Sequence, residues 1–232
     1  MKCAIMQPHF FPWPGYFNLI SKCDIFIFLD DAQFSKNSWQ VRNKLFVNKK
    51  IKWITAETKK STLKTKICEK KVNYNSPWKK KLVKTILQNY SSFPGINDLK
   101  DLIQEFEKDN SKNLADLNVN LIKFVCKKIL IKTKMIRSSN FHINKKRTDK
   151  IIDLLKLTNS TSYLSAVGSK DYLIKDNFKK NIKIDLSFND FKNSNYNNIS
   201  FEPQDQNLSI IDVIANLGWK ETSDYVMKKC EQ

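Results

Sequence analysis

Three side chains with catalytic potential lie close behind apolar runs near the start of the chain. A short strand-like run leads to His9, and the apolar run Ile25–Leu29 leads to Asp30 and Asp31. His9 is a candidate general base because the ordinary pKa of histidine, about 6.5, lies nearest neutrality; the alternative is a hydrogen-bonded packing role. Successive side chains of an extended chain point to opposite sides. We therefore expect one aspartate to face a site, where it would orient an amine or bind hydroxyl groups, and the other to cap a turn.

Side chains suited to ligand binding lie around these candidates. An amide hydrogen-bonds to a hydroxyl group or to the edge of a pyrimidine base, a cation binds a diphosphate, and an aromatic ring stacks on a base or a sugar. The candidates are the amides Gln7, Gln33 and Asn43, the cations Lys36 and Arg42, and the rings Trp13, Tyr16 and Trp39. The competing interpretation is that the aromatic and proline residues only close one end of a sheet.

A predicted parallel sheet positions the first two loops. Residues 7–16 include three of the six prolines, and each proline fixes φ and moves the preceding residue out of the helical region, so this loop is stiff and extended. A helix over Tyr16–Lys22 follows, with unpaired N–H groups available to an anion or a carbonyl oxygen. The run Ile25–Leu29 is typical of a strand buried on both faces. Parallel sheets bind ligands at the carboxyl ends of their strands, where both loops would lie.

Strands alternate with helices along most of the chain, which predicts an α/β fold with a mostly parallel, Rossmann-like sheet. A strand over Thr133–Arg137 delivers Ser138 and Ser139 at its carboxyl end. A short strand is expected over Lys66–Val72, and the clean alternation of Ile182–Phe188 predicts an exposed or edge strand.

Three consecutive amphipathic helices are predicted between residues 76 and 130. We expect one α/β domain over residues 1–232, in which 76–130 form a helical insertion or cap. A late helix begins near Leu208, and Asn216 and Gly218 are expected to interrupt it.

Two further polar groups have alternative interpretations. Ser169, Lys170 and Asp171 form a turn that opens a helix, and they are either an ordinary helix cap or a second contact for an anion. Asp212 lies inside an apolar helix, where it is either a site carboxylate or a buried acid held by a hydrogen bond.

Lysine dominates a strongly basic composition. Lys+Arg 41 against Asp+Glu 23 gives a formal net charge of +18, which attracts phosphate groups. Only three of these cations are arginines, and lysine and asparagine are abundant, as expected of an AT-rich genome. A protein that only binds nucleic acid requires its lysines on one contiguous face. The lysines of this chain are spread along its length.

The cysteines and the apolar runs bear on the cell compartment. The five cysteines show no C-x-x-C pair and no clustering with histidine, which favours a reducing cytoplasm and argues against a metal site. No apolar run approaches the ~20 residues that span a membrane, and no secretory signal is evident before Gln7. We expect a cytoplasmic protein without a transmembrane segment; its oligomeric state stays open.

At these positions the chain resembles the WbqC-like protein family, bacterial proteins encoded among genes for O-antigen and other surface polysaccharides. The resemblance covers nearly the whole chain. It rests on the motif Gln-Pro-x-Phe-Phe-Pro-x-x-Gly-Tyr-Phe at Gln7–Phe17, on Asp30, Gln33, Phe34, Lys36, Trp39, Arg42 and Asn43, and on the segments Ser169–Leu173 and Leu208–Asp212. The opening of the chain, from its first strand to the Asp-x-x-Gln-Phe segment that ends at Phe34, also resembles the opening of pantothenate synthetase and related adenylate-forming nucleotidyltransferases, although Tyr16 stands where their His-x-Gly-His signature ends. This second resemblance implies a nucleotidyltransferase-like layout.

The family resemblance implies transfer of an acyl, aminoacyl or glycyl group to the amine of a TDP- or UDP-linked amino deoxysugar. The donor stays open between an aminoacyl-tRNA, an acyl carrier, a thioester, and an amino acid with ATP, and no other cofactor is implied. Two alternatives also stay open. One is a non-catalytic module that binds a sugar nucleotide or a partner of the pathway, and the other is an ATP-dependent, adenylate-forming amide ligase.

Overall fold

Seven strands form two sheets in the computed structural model of the protein, which describes residues 1–47, 50–178, 182–194, 196 and 207–228. The strands are β1 (Lys2–Met6), β2 (Ile25–Phe28), β3 (Arg42–Val47), β4 (Lys50–Thr55), β5 (Lys134–Arg137), β6 (Ser162–Ala166) and β7 (Asp185–Asn189). The main sheet has the order β5-β2-β1-β6-β7 and is parallel throughout, whereas β3 and β4 form an antiparallel hairpin. The predicted α/β fold with a mostly parallel sheet is confirmed.

The strand order reverses direction at β1. The chain adds β2 and β5 on one side of β1, and β6 and β7 on the other. Loops after β1 and β6 therefore diverge at the carboxyl edge, and sheets of this kind bind ligands at such a switch point. Both faces of the central strands are covered, because Ala4 and Phe26 pack into one core cluster while Cys3 and Ile25 pack into another. Burial on both faces explains why these strands are continuously apolar.

Seven helices surround the sheet in the described part of the chain. They are α1 (Pro14–Ser21), α2 (Trp78–Asn89), α3 (Ile96–Lys108), α4 (Leu114–Lys128), α5 (Arg147–Leu157), α6 (Lys170–Lys175) and α7 (Ile210–Met227). Helices α5 and α6 pack on the face of Cys3, and the other five contribute to the core on the face of Ala4. The three helices predicted between residues 76 and 130 correspond to α2, α3 and α4; that they form an insertion stays a prediction. None of the described helices has the length and apolar character of a membrane span.

Two local predictions fail for identifiable reasons. The expected strand over Lys66–Val72 contains a single 3-10 turn at Ile67–Glu69, because the Glu69 carboxylate accepts the Lys66 N–H at 3.0 Å and folds the chain back. The expected break at Asn216 is absent, since α7 continues through it. Gly218 does interrupt α7, with φ at 72°, in the left-handed region that glycine tolerates. The predicted edge strand is confirmed as β7, which lies at one end of the sheet.

Candidate functional site

At the carboxyl edge of the sheet, Asp30 and Asp31 at the end of β2 contact the residues that follow the neighbouring strand, β5. Phe28 of β2 lies beside Arg137 of β5, so the residues that follow these partners meet. The fully buried carboxylate of Asp30 accepts hydrogen bonds from the Ser139 N–H at 3.0 Å and from the Ser139 hydroxyl at 2.9 Å. The Ser138 hydroxyl lies 3.3 Å from the same carboxylate. Asp30 therefore fixes the chain where it leaves β5.

Asp31 forms an ion pair beside this contact. Its carboxylate accepts the Ser138 hydroxyl through one oxygen and pairs with Lys150 Nζ through the other. Lys150 lies in the first turns of α5, and only 7% of the Asp31 side chain and 11% of the Lys150 side chain are exposed. Within the described residues Lys150 has no other polar partner, so two of its three N–H donors are free. We call Asp30, Asp31, Ser138, Ser139 and Lys150 the carboxylate cluster.

Arg137 and Cys68 border the carboxylate cluster. Arg137 Nη1 lies 2.5 Å from Asp116 Oδ1 and 3.9 Å from Asp30 Oδ2, so its charge is mainly balanced by Asp116. The Cys68 N–H donates to Asp30 O at 2.9 Å, and burial raises the pKa of the Cys68 thiol, as does the Asp30 carboxylate. A thiol that stays protonated is a poor nucleophile. The groups able to react here are thus a carboxylate, a hydroxyl and an ammonium.

The expectation that Asp30 and Asp31 point to opposite sides is wrong. The Asp30 N–H donates to Phe28 O at 2.9 Å, so the chain turns at the end of β2 instead of staying extended, and both carboxylates reach Ser138. The position of Ser138 at a strand end was visible in the sequence, although no role followed from it. Lys150 was missed because no local pattern marks it.

The loop after β1 is held in place by side chains from other parts of the chain. Asn43 Nδ2 donates to Phe11 O at 2.6 Å and to Phe10 O at 3.2 Å. Ser209 Oγ donates to Phe11 O at 2.8 Å, and Asn118 Nδ2 donates to a further carbonyl oxygen of the loop at 3.0 Å. Phe10 and Phe11 are buried, and Phe11 has a φ of 41°, which is unfavourable for any residue with a Cβ. The loop is a rigid plug with polar anchors.

His9, Tyr16 and Gln7 lie within this plug. The His9 ring is 5.2 Å from the Tyr16 ring, and burial lowers the pKa of His9 to about 4. No described group forms a hydrogen bond with the His9 imidazole, which is uncharged at neutral pH. The buried Tyr16 hydroxyl donates to Gln7 O at 2.9 Å, while Gln7 Oε1 accepts Gln40 Nε2 at 2.9 Å. Tyr16 and Gln7 thus contribute hydrogen bonds that hold the loop.

The loop after β2 carries other candidates towards the hairpin. Gln33 and Lys36 are exposed, and Gln33 Nε2 donates to a carbonyl oxygen of a neighbouring loop at 2.6 Å. The Trp39 ring lies 5.4 Å from the ring of Trp53 on β4. Arg42 Cζ lies 4.2 Å from the centre of the Trp53 ring. Trp39 and Arg42 therefore gather with Trp53, in a group separate from the carboxylate cluster.

Ser169, Lys170 and Asp171 follow β6 at the same edge of the sheet. Ser169 Oγ donates to Ala166 O at 2.7 Å and lies 2.5 Å from Ser165 Oγ. Lys170 and Asp171 are exposed. No polar contact in the described structure joins these three residues to the carboxylate cluster.

Asp212 is buried in α7 and accepts the hydroxyls of Tyr90 and Tyr196, each at 2.7 Å. Burial raises its pKa. Of its two interpretations, the structure shows a buried acid held by hydrogen bonds. The described residues contain no group of three or more histidine, cysteine, aspartate or glutamate side chains arranged to hold a metal ion.

Comparisons with known proteins place the chain in a family. Residues 7–224 match the WbqC-like protein family, and the chain belongs to it. The chain is also similar to the uncharacterized protein Rv1507c of Mycobacterium tuberculosis, with 28% identity over 236 residues, which cover 100% of this chain and 99% of that protein. No solved structure matches the chain.

Proposed function

We propose that this WbqC-like protein transfers an acyl or aminoacyl group, such as glycyl, to the amine of a nucleotide-linked amino deoxysugar in surface polysaccharide biosynthesis. The observation that carries the proposal is the buried ion pair of Asp31 and Lys150 at the carboxyl edge of a parallel sheet, with the Ser138 hydroxyl beside it. The resemblance to proteins of polysaccharide gene clusters supports the choice of acceptor.

Amide formation places two demands on a site, and the carboxylate cluster supplies a group for each. A sugar amine must lose a proton to attack a carbonyl carbon, and Asp31 is a carboxylate able to accept it. The oxygen of the attacked carbonyl gains negative charge, which the two free N–H donors of Lys150 can stabilise. The new C–N bond forms as the donor's oxygen or sulfur leaves with a proton, which Asp31 returns.

The remaining members of the cluster hold this pair in position. Asp30 accepts two hydrogen bonds from Ser139, lies 3.3 Å from the Ser138 hydroxyl and is fully buried, whereas 7% of the Asp31 side chain is exposed and can meet an amine. Ser138 touches both carboxylates and thereby links Asp30 to Asp31. In this assignment Asp31 and Lys150 are the catalytic pair, while Asp30 is a positioning residue.

Mass spectrometry of a reconstituted reaction tests the proposal. The acceptor is a TDP-linked 4-amino-4,6-dideoxyhexose, and the donors are an acyl carrier, a thioester, glycine with ATP, and glycyl-tRNA. We expect the acceptor mass to increase by one acyl or aminoacyl group. If every donor fails while the protein still retains the sugar nucleotide, a binding module is the better description; if retention fails too, the acceptor class is wrong.

Substitutions locate the reaction within the structure. Asp31→Asn removes the proton acceptor with little change in shape, and we expect the rate to fall about 100-fold or more. Asp101→Asn is the matched control, since Asp101 forms an ion pair with Lys128 at 2.7 Å on the surface of the helical region. Circular dichroism checks that both variants fold. A rate for Asp31→Asn equal to that of the control would remove Asp31 from the mechanism.

A further inference from the structure

The β3–β4 hairpin has one face towards the core and one towards solvent, and the two faces carry different side chains. Its strands pair so that Lys44 lies opposite Trp53, and side chains alternate between the two faces. The inward face includes the buried side chains of Leu45 and Ile54. The outward face carries Arg42, Lys44 and Trp53, and 45% of Trp53 is exposed to solvent. A large exposed indole flanked by two cations has no role in the core.

The outward side chains are already arranged around the Trp53 ring. Arg42 Cζ lies 4.2 Å from the ring centre, and Lys44 Nζ lies 5.5 Å from it. The half-buried Trp39 ring approaches to 5.4 Å at a tilt of 46°. Both cations are within the distance at which they are attracted to an aromatic ring. The arrangement orders two cations around an accessible aromatic surface.

Arg42 differs from the other two arginines in its partners. Arg137 pairs with Asp116 and Arg147 lies 3.8 Å from Asp176. Among the described residues the Arg42 guanidinium meets neither a carboxylate nor any other acceptor, and its Nε is buried without a hydrogen bond. A buried donor without an acceptor is costly. A planar guanidinium matches a phosphate through two parallel hydrogen bonds, and the Nη groups of Arg42 have no acceptor among the described residues, so an anionic ligand would supply one.

We propose that Trp53, Trp39, Arg42 and Lys44 bind a nucleoside diphosphate, with the base against the indoles and the phosphate oxygens on the two cations. Two positive charges with no carboxylate partner in the described part of the chain complement a diphosphate, and a two-ring surface accommodates one base. Single-stranded RNA would need more rings in a row than this face offers.

We call Trp39, Arg42, Lys44 and Trp53 the nucleotide platform, and the loop after β2 connects it to the carboxylate cluster. The loop begins with Asp30 and Asp31 and passes through Trp39 to Arg42, the first residue of β3. Trp39 O accepts the N–H of Phe10 in the plug at 2.9 Å. Assigning the platform to the nucleotide part of the acceptor rests on the proposed function. The binding of a nucleotide itself does not, because it can be measured without any donor.

Titration calorimetry with the intact protein tests the platform. The probes are TDP, UDP, thymidine, inorganic pyrophosphate and a short single-stranded RNA. We expect TDP or UDP to bind more tightly than thymidine or pyrophosphate, because only the nucleotides use both the rings and the cations. Equal affinity for pyrophosphate and TDP would overturn the platform, and so would tighter binding of the RNA than of either nucleotide.

Matched substitutions separate the platform from general effects. We expect Trp53→Ala and Arg42→Gln each to weaken nucleotide binding about tenfold or more, and Trp53→Phe to restore most of the loss. The controls are Tyr74→Ala, an exposed ring with Lys79 Nζ 5.7 Å from its centre, and Arg147→Gln. Affinity that is unchanged in Trp53→Ala and Arg42→Gln would overturn the proposal. Platform-dependent binding without any acyl transfer would instead reject only the proposed function.

Discussion

Replacing Asn43 with alanine tests whether the plug depends on the amide that holds it. Asn43 is 1% exposed, and its Nδ2 donates to Phe11 O at 2.6 Å and to Phe10 O at 3.2 Å. In Asn43→Ala, Phe11 O keeps the hydroxyl of Ser209, whereas Phe10 O loses its one hydrogen bond from a described residue. In this variant Ser209 is the one described side chain that still donates to Phe11 O, although the φ of Phe11, 41°, is a disfavoured value that needs support from its surroundings.

The magnitude follows from these losses. A buried carbonyl left without a donor costs about 1–3 kcal/mol, and the two other lost hydrogen bonds, to Phe11 O and from the Lys44 N–H to Asn43 Oδ1 at 2.8 Å, contribute about 0.5–1 kcal/mol each. We therefore expect the free energy of unfolding to fall by about 3 kcal/mol. For a chain of this size that corresponds to a decrease in Tm of roughly 6–12 °C.

Urea unfolding followed by far-ultraviolet circular dichroism measures this difference. Asn120→Ala is the matched control, because exposed Asn120 also donates twice, to Asp109 Oδ2 at 2.8 Å and to Ser111 Oγ at 3.2 Å. We expect the control to change stability by less than about 0.5 kcal/mol. If Asn43→Ala is no less stable than Asn120→Ala, the plug does not depend on Asn43 and the reasoning is refuted.

Two further predictions concern pH and packing. The folded pKa of His9, about 4, lies below its ordinary value of 6.5, so folded protein binds fewer protons between these values. The contribution of neutral His9 to the free energy of unfolding should be fully present above pH 6.5 and should decrease by about 3 kcal/mol as the pH falls to 4. In urea unfolding, the stability of His9→Gln should depend less on pH than that of the wild type. An unchanged pH dependence in this variant would contradict the burial of His9. A Cβ on Gly95 would lie 2.0 Å from Ile214 O, whereas one on Gly168 meets nothing within 4 Å. Gly95→Ala should therefore lower the free energy of unfolding by at least about 1–3 kcal/mol in the same assay, with Gly168→Ala near wild type, and equal stability of the two would contradict the packing of α3 against α7.

The fold was predictable where burial leaves a simple pattern. The run Ile25–Leu29 is apolar at every position because β2 is covered on both faces, and this pattern alone indicates a central parallel strand. The segment Lys66–Val72 gave no such constraint. Its 3-10 turn depends on one hydrogen bond between Glu69 and the Lys66 backbone, a choice that the alternation of side chains does not encode.

The sequence predicted where the candidate site lies, at the carboxyl ends of strands, but not which side chains meet there. Asp30 and Asp31 directly follow an apolar strand, which places them at the carboxyl edge without any structure. Their shared partner Ser138 and the ion pair with Lys150 required more, namely the pairing of β2 with β5 and the position of α5 over that edge. Both are long-range contacts, 107 and 119 residues apart along the chain, so no local pattern could reveal them.

Rigidity and chemistry are divided between the two loops at this edge. The polar contacts of the loop after β1 hold its conformation, because the side chains of Asn43, Asn118 and Ser209 all donate to its carbonyl oxygens. The loop after β2 begins with Asp30 and Asp31 and leads into Arg42 of β3, whose guanidinium has no hydrogen-bond acceptor among the described residues. Because Asn43 follows Arg42 directly and anchors the plug with its own side chain, loss of that anchor should weaken nucleotide binding as well as stability. Asp31→Asn should instead slow the proposed transfer about 100-fold or more and leave nucleotide affinity unchanged, so the two variants separate the support of the platform from the chemistry of the cluster.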